Sequence, residues 1–316
     1  MMRPATGRRI AVLADRGVVG VTGADALKLL QGVITNDMEL LSVRPAIHAA
    51  LLTPQGKILF EFFVVKAPDG FWLEAAADKT ADLAKRLTLY RLRAKVDIKD
   101  RSAELRAFAL WGGEPEALAG AAGTLVFPDP RLPALGLRGL AAQAPLEAPL
   151  EVPLEVPLAP DLVAASRALE VPAQDYHAHR IALGVPEGGK DYTFGDAFPH
   201  DADLDQLHGV SFAKGCFVGQ EVVSRMQNRA QVRKRIVAIV GDAPLLAGAE
   251  ITAGAAVIGT VGSVAGKDAL ALVRLDRAAE AAAKGTTLMA GAVAIALRKP
   301  DWANFELAPA VATGVS

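Results

Sequence analysis

The chain is poor in cysteine. Cys216 is the only one in 316 residues, so no disulfide can form within the chain and the fold must be held by packing. A single thiol also cannot supply the four ligands that usually hold an iron–sulfur cluster. The five histidines do not fill that gap, because His177 and His179 are two residues apart and would face apart on a helix. No stable metal site is read. Neither sign of charge is in excess: Lys plus Arg number 34 and Asp plus Glu 35, a net charge of −1. That argues against a protein living on nucleic acid by bulk electrostatics. No apolar run is long enough to cross a membrane. Residues 10–14, which follow the basic residues 1–9, are too short for the apolar core of a signal peptide. Together with the lone thiol, these absences lead us to expect a soluble cytoplasmic protein with no membrane partner.

What is present is ample apolar material, 52% of the residues against 22% charged, enough for more than one core. Residues 10–14 and 18–21 read as strands joined by an Asp-Arg-Gly turn. A helix start at Thr22-Gly23-Ala24-Asp25 is followed by Leu27, Leu29 and Leu30, with Gly32 as its stop. Two strands, 49–53 and 57–65, flank the turn Thr53-Pro54-Gln55-Gly56. Asp69-Gly70 marks a hairpin into a strand at 71–75. Leu83, Leu87 and Tyr90 recur at helical spacing within 78–92, and strands follow at 96–98 and 106–110. This order predicts an α+β layer on an antiparallel sheet. In residues 141–160 prolines recur every four positions, which reads as a semi-rigid insertion. Residues 161–169 and 173–183 look helical, the second ending at Gly184. Beyond Val232, short β-rich pieces at 236–240, 256–264, 270–275 and 292–297 predict a small barrel or sandwich. The tail after Trp302 reads as loose.

The most informative stretch is Lys214-Gly215-Cys216-Phe217-Val218-Gly219-Gln220-Glu221. Its two glycines permit close backbone approach or positive φ. Gln220 and Glu221 open a segment that can be helical, whose start offers free N–H groups. Lys214 adds a positive charge, and Cys216 near such a terminus is a candidate reactive thiol.

This octapeptide resembles the signature of the YgfZ family, relatives of the glycine-cleavage T-protein (an aminomethyltransferase). Other segments are similar in the same order: Leu30-Gln31-Gly32-Val33-Ile34-Thr35-Asn36-Asp37, Leu52-Thr53-Pro54-Gln55-Gly56-Lys57-Ile58-Leu59, Arg180-Ile181-Ala182-Leu183-Gly184-Val185-Pro186, and Phe198-Pro199-His200-Asp201. The resemblance implies an α+β, three-domain ring of the T-protein type. A split first domain (1–44 and 128–221, carrying the Pro-rich insertion) would bind folate. A ferredoxin-like domain (45–127) would be inserted in it, and a C-terminal β-barrel with its tail (222–316) would follow. It also implies a folate-binding protein that supports assembly or repair of iron–sulfur enzymes, including tRNA-modifying ones, with tetrahydrofolate or a derivative as cofactor. Its partners would be those client enzymes or other assembly factors, and tRNA only indirectly.

On that resemblance Asn36, Asp37, Asp201 and Arg225 are the expected folate contacts. The carboxylates would take the pterin's amino and N–H groups, and Arg225 the glutamate tail. Cys216, with Lys214, is the expected reactive or cluster-contacting group. One departure matters. Phe60 and Glu61 stand where the transferases usually have paired aspartates, and Lys57 where they have a second glycine. This weakens a second reading, a tetrahydrofolate-dependent aminomethyltransferase. Glu61 reads equally as acidic machinery or as a solvated strand residue. A third reading, a tRNA-binding module, would need Arg225, Arg229 and Arg233 to line one helix face, yet residues 231–237 alternate like a strand.

Overall fold

The computed structural model describes residues 7–113, 123–142, 163–164, 166–229 and 232–307. The chain separates into two compact units, one of residues 1–51, 60–176 and 207–218, the other of residues 52–59, 177–206 and 219–316.

In the first unit, nearly unbroken apolar runs make strands covered on both faces. Strand β2 (Arg16–Thr22), β3 (Ala46–Leu52), β4 (Ile58–Ala67) and β5 (Gly70–Ala76) are buried along almost their whole length. With β6 (Asp97–Asp100) they form a five-stranded sheet ordered β3-β4-β5-β2-β6. A second sheet combines β1 (Arg9–Val12), β7 (Leu105–Trp111), β8 (Thr124–Pro128), β9 (Leu137–Ala142) and β10 (Leu169–Glu170) in the order β10-β1-β7-β9-β8. Val18, Phe63, Val65 and Trp72 of the first sheet share one core with Ala107, Trp111, Phe127 and Leu140 of the second. Helices α1 (Ala26–Val33) and α2 (Thr80–Arg91) pack on β5 and β2.

A buried ion network runs through this unit. Arg16 donates from Nε to Glu74 Oε1 at 3.1 Å, and Arg138 donates to the same carboxylate. Arg138 lies between the Phe63 and Tyr176 rings, its guanidinium carbon 5.2 and 5.4 Å from their centroids. Such charges are tolerated in a core only when paired.

In the second unit the β-rich C-terminal pieces close into a six-stranded antiparallel barrel ordered β11-β14-β13-β12-β15-β16. Its strands are β11 (Lys234–Gly241), β12 (Glu250–Ala253), β13 (Ala256–Ala265), β14 (Asp268–Arg274), β15 (Leu288–Ala290) and β16 (Val293–Arg298). Val237, Ile239, Ile251, Ile258, Val261 and Ala271 fill it. Closure removes the sheet edges that a sandwich would leave. Helix α3 (Ala173–Ala182) precedes the loop that leads to the octapeptide, whose last two residues open helix α4 (Gln220–Arg229).

Three local expectations change. Residue Leu169, read as the end of a helix, lies in β10, paired in parallel with β1; a ladder partner at the sheet edge overrides local helical propensity. An alanine-rich helix, α5 (Leu275–Ala283), occupies what reads as the end of a strand and a loop. Finally, α1 runs through Gly32 to Val33, so that glycine does not stop it. Of the Pro-rich stretch only Ala141 and Ala142 are described, as the end of β9; residues 143–160 lie outside the described residues.

Candidate functional site

The octapeptide loop is pinned to helix α1 by its lysine. Lys214 Nζ donates to three backbone carbonyls, those of Gln31 (2.7 Å), Ile34 (2.7 Å) and Asn36 (2.9 Å). An ammonium has three N–H donors, and all three are used. Two of the acceptors lie at the C-terminal end of α1, where the unsatisfied carbonyls and the helix dipole favour a cation. Burial draws the Lys214 pKa down from 10.5 to about 8, opposed by the nearby Asp37 carboxylate. The side chain is therefore a clamp, engaged at its charged end and not turned outward.

The turn it clamps is rigid for its own reasons. Thr35 Oγ1 donates to the Gly209 carbonyl at 2.6 Å and accepts from the Ala50 amide at 2.8 Å. The Asn36 amide donates to the carbonyls of His48 and His208, each at 2.7 Å, while its oxygen accepts from the Asp37 amide. Asn36 is buried with both donors and its acceptor in use, so its side chain builds the turn. Asp37 is half-buried, and its Oδ1 accepts from Gln31 Nε2 at 2.9 Å and from the Glu39 amide at 3.0 Å. Its Oδ2 has no hydrogen-bond partner among the described residues. On the other side of the clamp, Phe212, Ala213, Gly215 and Cys216 are exposed while Lys214 and Phe217 are buried. Cys216 is a free, exposed thiol on an anchored loop.

The first unit also holds an acid–base pair that the sequence did not announce. His48 Nδ1 lies 2.9 Å from the Leu207 carbonyl and Nε2 lies 2.8 Å from Glu61 Oε1. A carbonyl only accepts, so Nδ1 carries a proton. The contact with Glu61 needs a second proton, on either the imidazole or the carboxyl. His48 is 1% exposed and Glu61 6%, so the solvated-strand reading of Glu61 is corrected; β4 is covered on both faces. The only sequence signal for His48 was a lone polar residue in an apolar strand.

In the second unit the Thr53–Gly56 turn meets the end of the octapeptide. Gly219 has φ +80°, and a Cβ there would fall 2.6 Å from the Thr53 carbonyl oxygen and 3.0 Å from Gly56 Cα. Only glycine fits such an approach. Gly215 differs, having neither positive φ nor anything within 4 Å of an added Cβ. The expectation that both glycines serve backbone geometry is thus corrected for Gly215. Asp201 is buried and accepts from the Phe198 amide at 2.9 Å. Burial raises its pKa, against the opposing pull of that hydrogen bond and of Lys234, Lys57 and His200. Arg225 is exposed on α4 and pairs with Glu221 one turn away. Arg233 is not helical, so the three arginines do not line one helix face. Helix α4 ends at Arg229, and Arg235 turns inward on β11 to bond Asp203 and Asp205 at 2.8 Å each.

Comparison with known proteins agrees with this architecture. Residues 13–125 match the family description "GCVT N-terminal domain", and residues 233–305 match "CAF17, C-terminal beta-barrel domain". The crystal structure of glycine cleavage system aminomethyltransferase T from Bartonella henselae superposes with a TM-score of 0.72 at 19% identity, over 94% of this chain and 87% of that one. At that identity the likeness carries the fold alone, a GcvT-like aminomethyltransferase fold with a closed six-stranded C-terminal barrel. Among curated proteins, the iron–sulfur cluster assembly factor IBA57, mitochondrial, of Homo sapiens is 34% identical over 276 residues, 81% of this chain and 72% of the relative. The IBA57 homologues of Mycosarcoma maydis and Neurospora crassa are 34% and 33% identical, covering 72% and 71% of this chain. This chain spans 56% and 52% of those fungal proteins, about half their length. These relatives are named mitochondrial, which overturns the cytoplasmic expectation. One cysteine and no long apolar run do not distinguish one reducing compartment from another. The YgfZ resemblance is likewise refined, since the matching relatives carry the name of a related family.

Proposed function

Because the chain belongs to the IBA57 family of iron–sulfur cluster assembly factors, we propose that it works in iron–sulfur cluster assembly with Cys216 as the group that meets the cluster or its donor. The observation that carries this reading is the exposed thiol on a loop locked by three lysine–carbonyl bonds. A single thiol cannot retain a cluster alone, so the cluster is cargo and its remaining ligands come from another assembly factor or client. Lys214 positions the loop. Clients include enzymes that modify tRNA, and tRNA is met only through them.

We further propose that the protein binds tetrahydrofolate or a derivative. The residues present fit this unevenly. Asp37 keeps an unengaged carboxylate oxygen, and Asp201 is a carboxyl retained in a buried position that disfavours its charge; both suit hydrogen bonds to amino and N–H groups. Arg225 can exchange Glu221 for a ligand carboxylate. Asn36 does not fit, its side chain being used within the turn. When bound, the folate would supply one-carbon chemistry. The transferase reading is not favoured, since Glu61 is buried and hydrogen-bonded to His48.

The test is complementation of cells that lack the protein, scored on iron–sulfur enzyme activity, together with fluorescence titration of the purified chain with folates. Cys216→Ala is expected to abolish support, and Asp37→Asn and Asp201→Asn to weaken folate binding. Undiminished support by Cys216→Ala removes the thiol from the mechanism. Absence of folate binding in the wild type removes the cofactor and leaves the assembly role standing.

A further inference from the structure

Helix α2 and the turn after it carry a surface that the site described above does not use. From residue 83 to residue 96 the chain has five cations, Lys85, Arg86, Arg91, Arg93 and Lys95, and no acid, although the whole chain is nearly neutral. All five are exposed. Among the described residues none of the five side chains forms an ion pair, although the Asp25 carboxylate accepts from the Lys95 backbone amide at 2.7 Å. Leu83 and Leu87 face the sheet. Helical spacing puts Lys85 and Leu89 on the opposite face.

Two leucines stand among these cations in water. Leu89 is 63% exposed and Leu92 is 87% exposed. Leu92 also has φ +49° at the C-terminal end of the helix, a conformation that disfavours a branched side chain and where glycine is the usual residue. Its backbone strain thus costs stability, and its near-complete exposure leaves it little packing in the fold to offset that cost. A position that breaks local rules without a structural return points to something outside the fold.

We propose that the α2 turn is a peripheral contact for an anionic lipid bilayer, with Leu89 and Leu92 entering the interface and the surrounding cations meeting lipid phosphates. This departs from the expectation of no membrane partner, which rested on the lack of a spanning segment. No helix among the described residues is long and apolar enough to cross a membrane, so the contact is a surface one. The choice of occupant follows from shape and charge. A nucleic acid would use the cations and leave both leucines wet. A docked protein needs complementary pockets packed as tightly as an interior, whereas Leu92 stands almost wholly in water between Arg91 and Arg93 at the end of the helix. Long basic side chains can lie along the interface with their charges at headgroup level while short apolar tips insert.

The test is sedimentation of the full chain with vesicles of phosphatidylglycerol and phosphatidylcholine, compared with phosphatidylcholine alone, at low and high salt. The chain is expected to associate with the anionic vesicles and to be released by salt. The double substitution Lys85→Glu with Arg93→Glu is expected to weaken association by at least about tenfold, since each basic group near an anionic surface contributes about one decade or a little less. Leu92→Gly is expected to weaken association several-fold while leaving Tm unchanged or higher, a combination that general damage to the fold cannot produce. Absence of association with anionic vesicles overturns the proposal, as does association that these variants leave unchanged. Binding of a short RNA that falls with the charge reversals but not with Leu92→Gly, without vesicle binding, assigns the surface to nucleic acid and also overturns it.

Discussion

Removing the Lys214 clamp is expected to loosen the cysteine loop by a measurable amount without unfolding the protein. Hydrogen bonds from a charged donor contribute about 1.5 kcal/mol or more each, and Lys214 makes three. Burying the charge, with a pKa drawn from 10.5 to about 8, costs about 3 kcal/mol. The balance holds the loop by about 1–2 kcal/mol, a factor of about 5–30 in its opening equilibrium. The assay is hydrogen exchange at the Ser211 amide, which donates to the Thr35 carbonyl within the clamped region. In Lys214→Ala its protection should fall by that factor. Lys214→Arg should fail as well, because a planar guanidinium cannot aim donors at three carbonyls around one point. Propylammonium added to Lys214→Ala should restore protection by filling the three-carbonyl nest. In the wild type, protection should also rise as pH passes through about 8, after correction for base-catalysed exchange, because opening returns the lysine to its higher solvated pKa and so takes up a proton. The global linkage has the same sign. The folded value lies below the unfolded one, so unfolding takes up a proton between about pH 8 and 10.5, and this group's contribution to stability rises with pH across that window. Unchanged exchange in Lys214→Ala, or rescue by an uncharged propyl compound, would refute the clamp.

Gly219→Ala should cost more than about 2 kcal/mol in urea unfolding, from positive φ and the 2.6 Å approach to the Thr53 carbonyl, whereas Gly215→Ala should stay within about 0.5 kcal/mol; equal effects would contradict the geometry. Asp201→Asn should raise Tm at neutral pH. The folded pKa of Asp201 is raised, so its contribution to stability is present below the unfolded value near 3.8 and is lost as pH rises through the folded one; the gain in the variant should vanish near pH 4. A Tm difference independent of pH would count against it. His48→Leu should destabilise by about 3 kcal/mol because buried Glu61 loses its bond to His48, and the double variant with Glu61→Leu should recover much of that; additive losses in the cycle would show that the pair is not coupled.

Much of the fold could be read in the chain because its signals are local. Asp69-Gly70 names a hairpin, Leu83 and Leu87 name the buried face of α2, and alternation after Val232 names barrel strands. What escaped depends on partners distant in sequence. Residue Leu169 is a strand residue only because β1 offers it a ladder. His48 is half of a pair only because Glu61 and the Leu207 carbonyl converge on it from 13 and 159 residues away. Arg235 is a buried ion-pair residue only because Asp203 and Asp205 meet it from about 30 residues away.

The octapeptide shows the same division within eight residues. Residue types suggested a positive charge beside a candidate reactive thiol, and the family resemblance implied that Lys214 and Cys216 act together. The structure separates the two by direction, with Lys214 facing the end of α1 and Cys216 facing solvent. This separation has a chemical consequence. A lysine engaged by three carbonyls does not serve as proton acceptor for the thiol next to it, so the reactivity of Cys216 is left to whatever approaches from outside. A transferase needs its acid and base built into the fold, and here the one conspicuous acid on β4 is buried against His48. A protein that meets a cluster presented by a partner needs only an accessible ligand held at a fixed place. The arrangement of Lys214, Gly215 and Cys216 meets that lesser requirement: an anchor behind, open space beside, and a thiol in front.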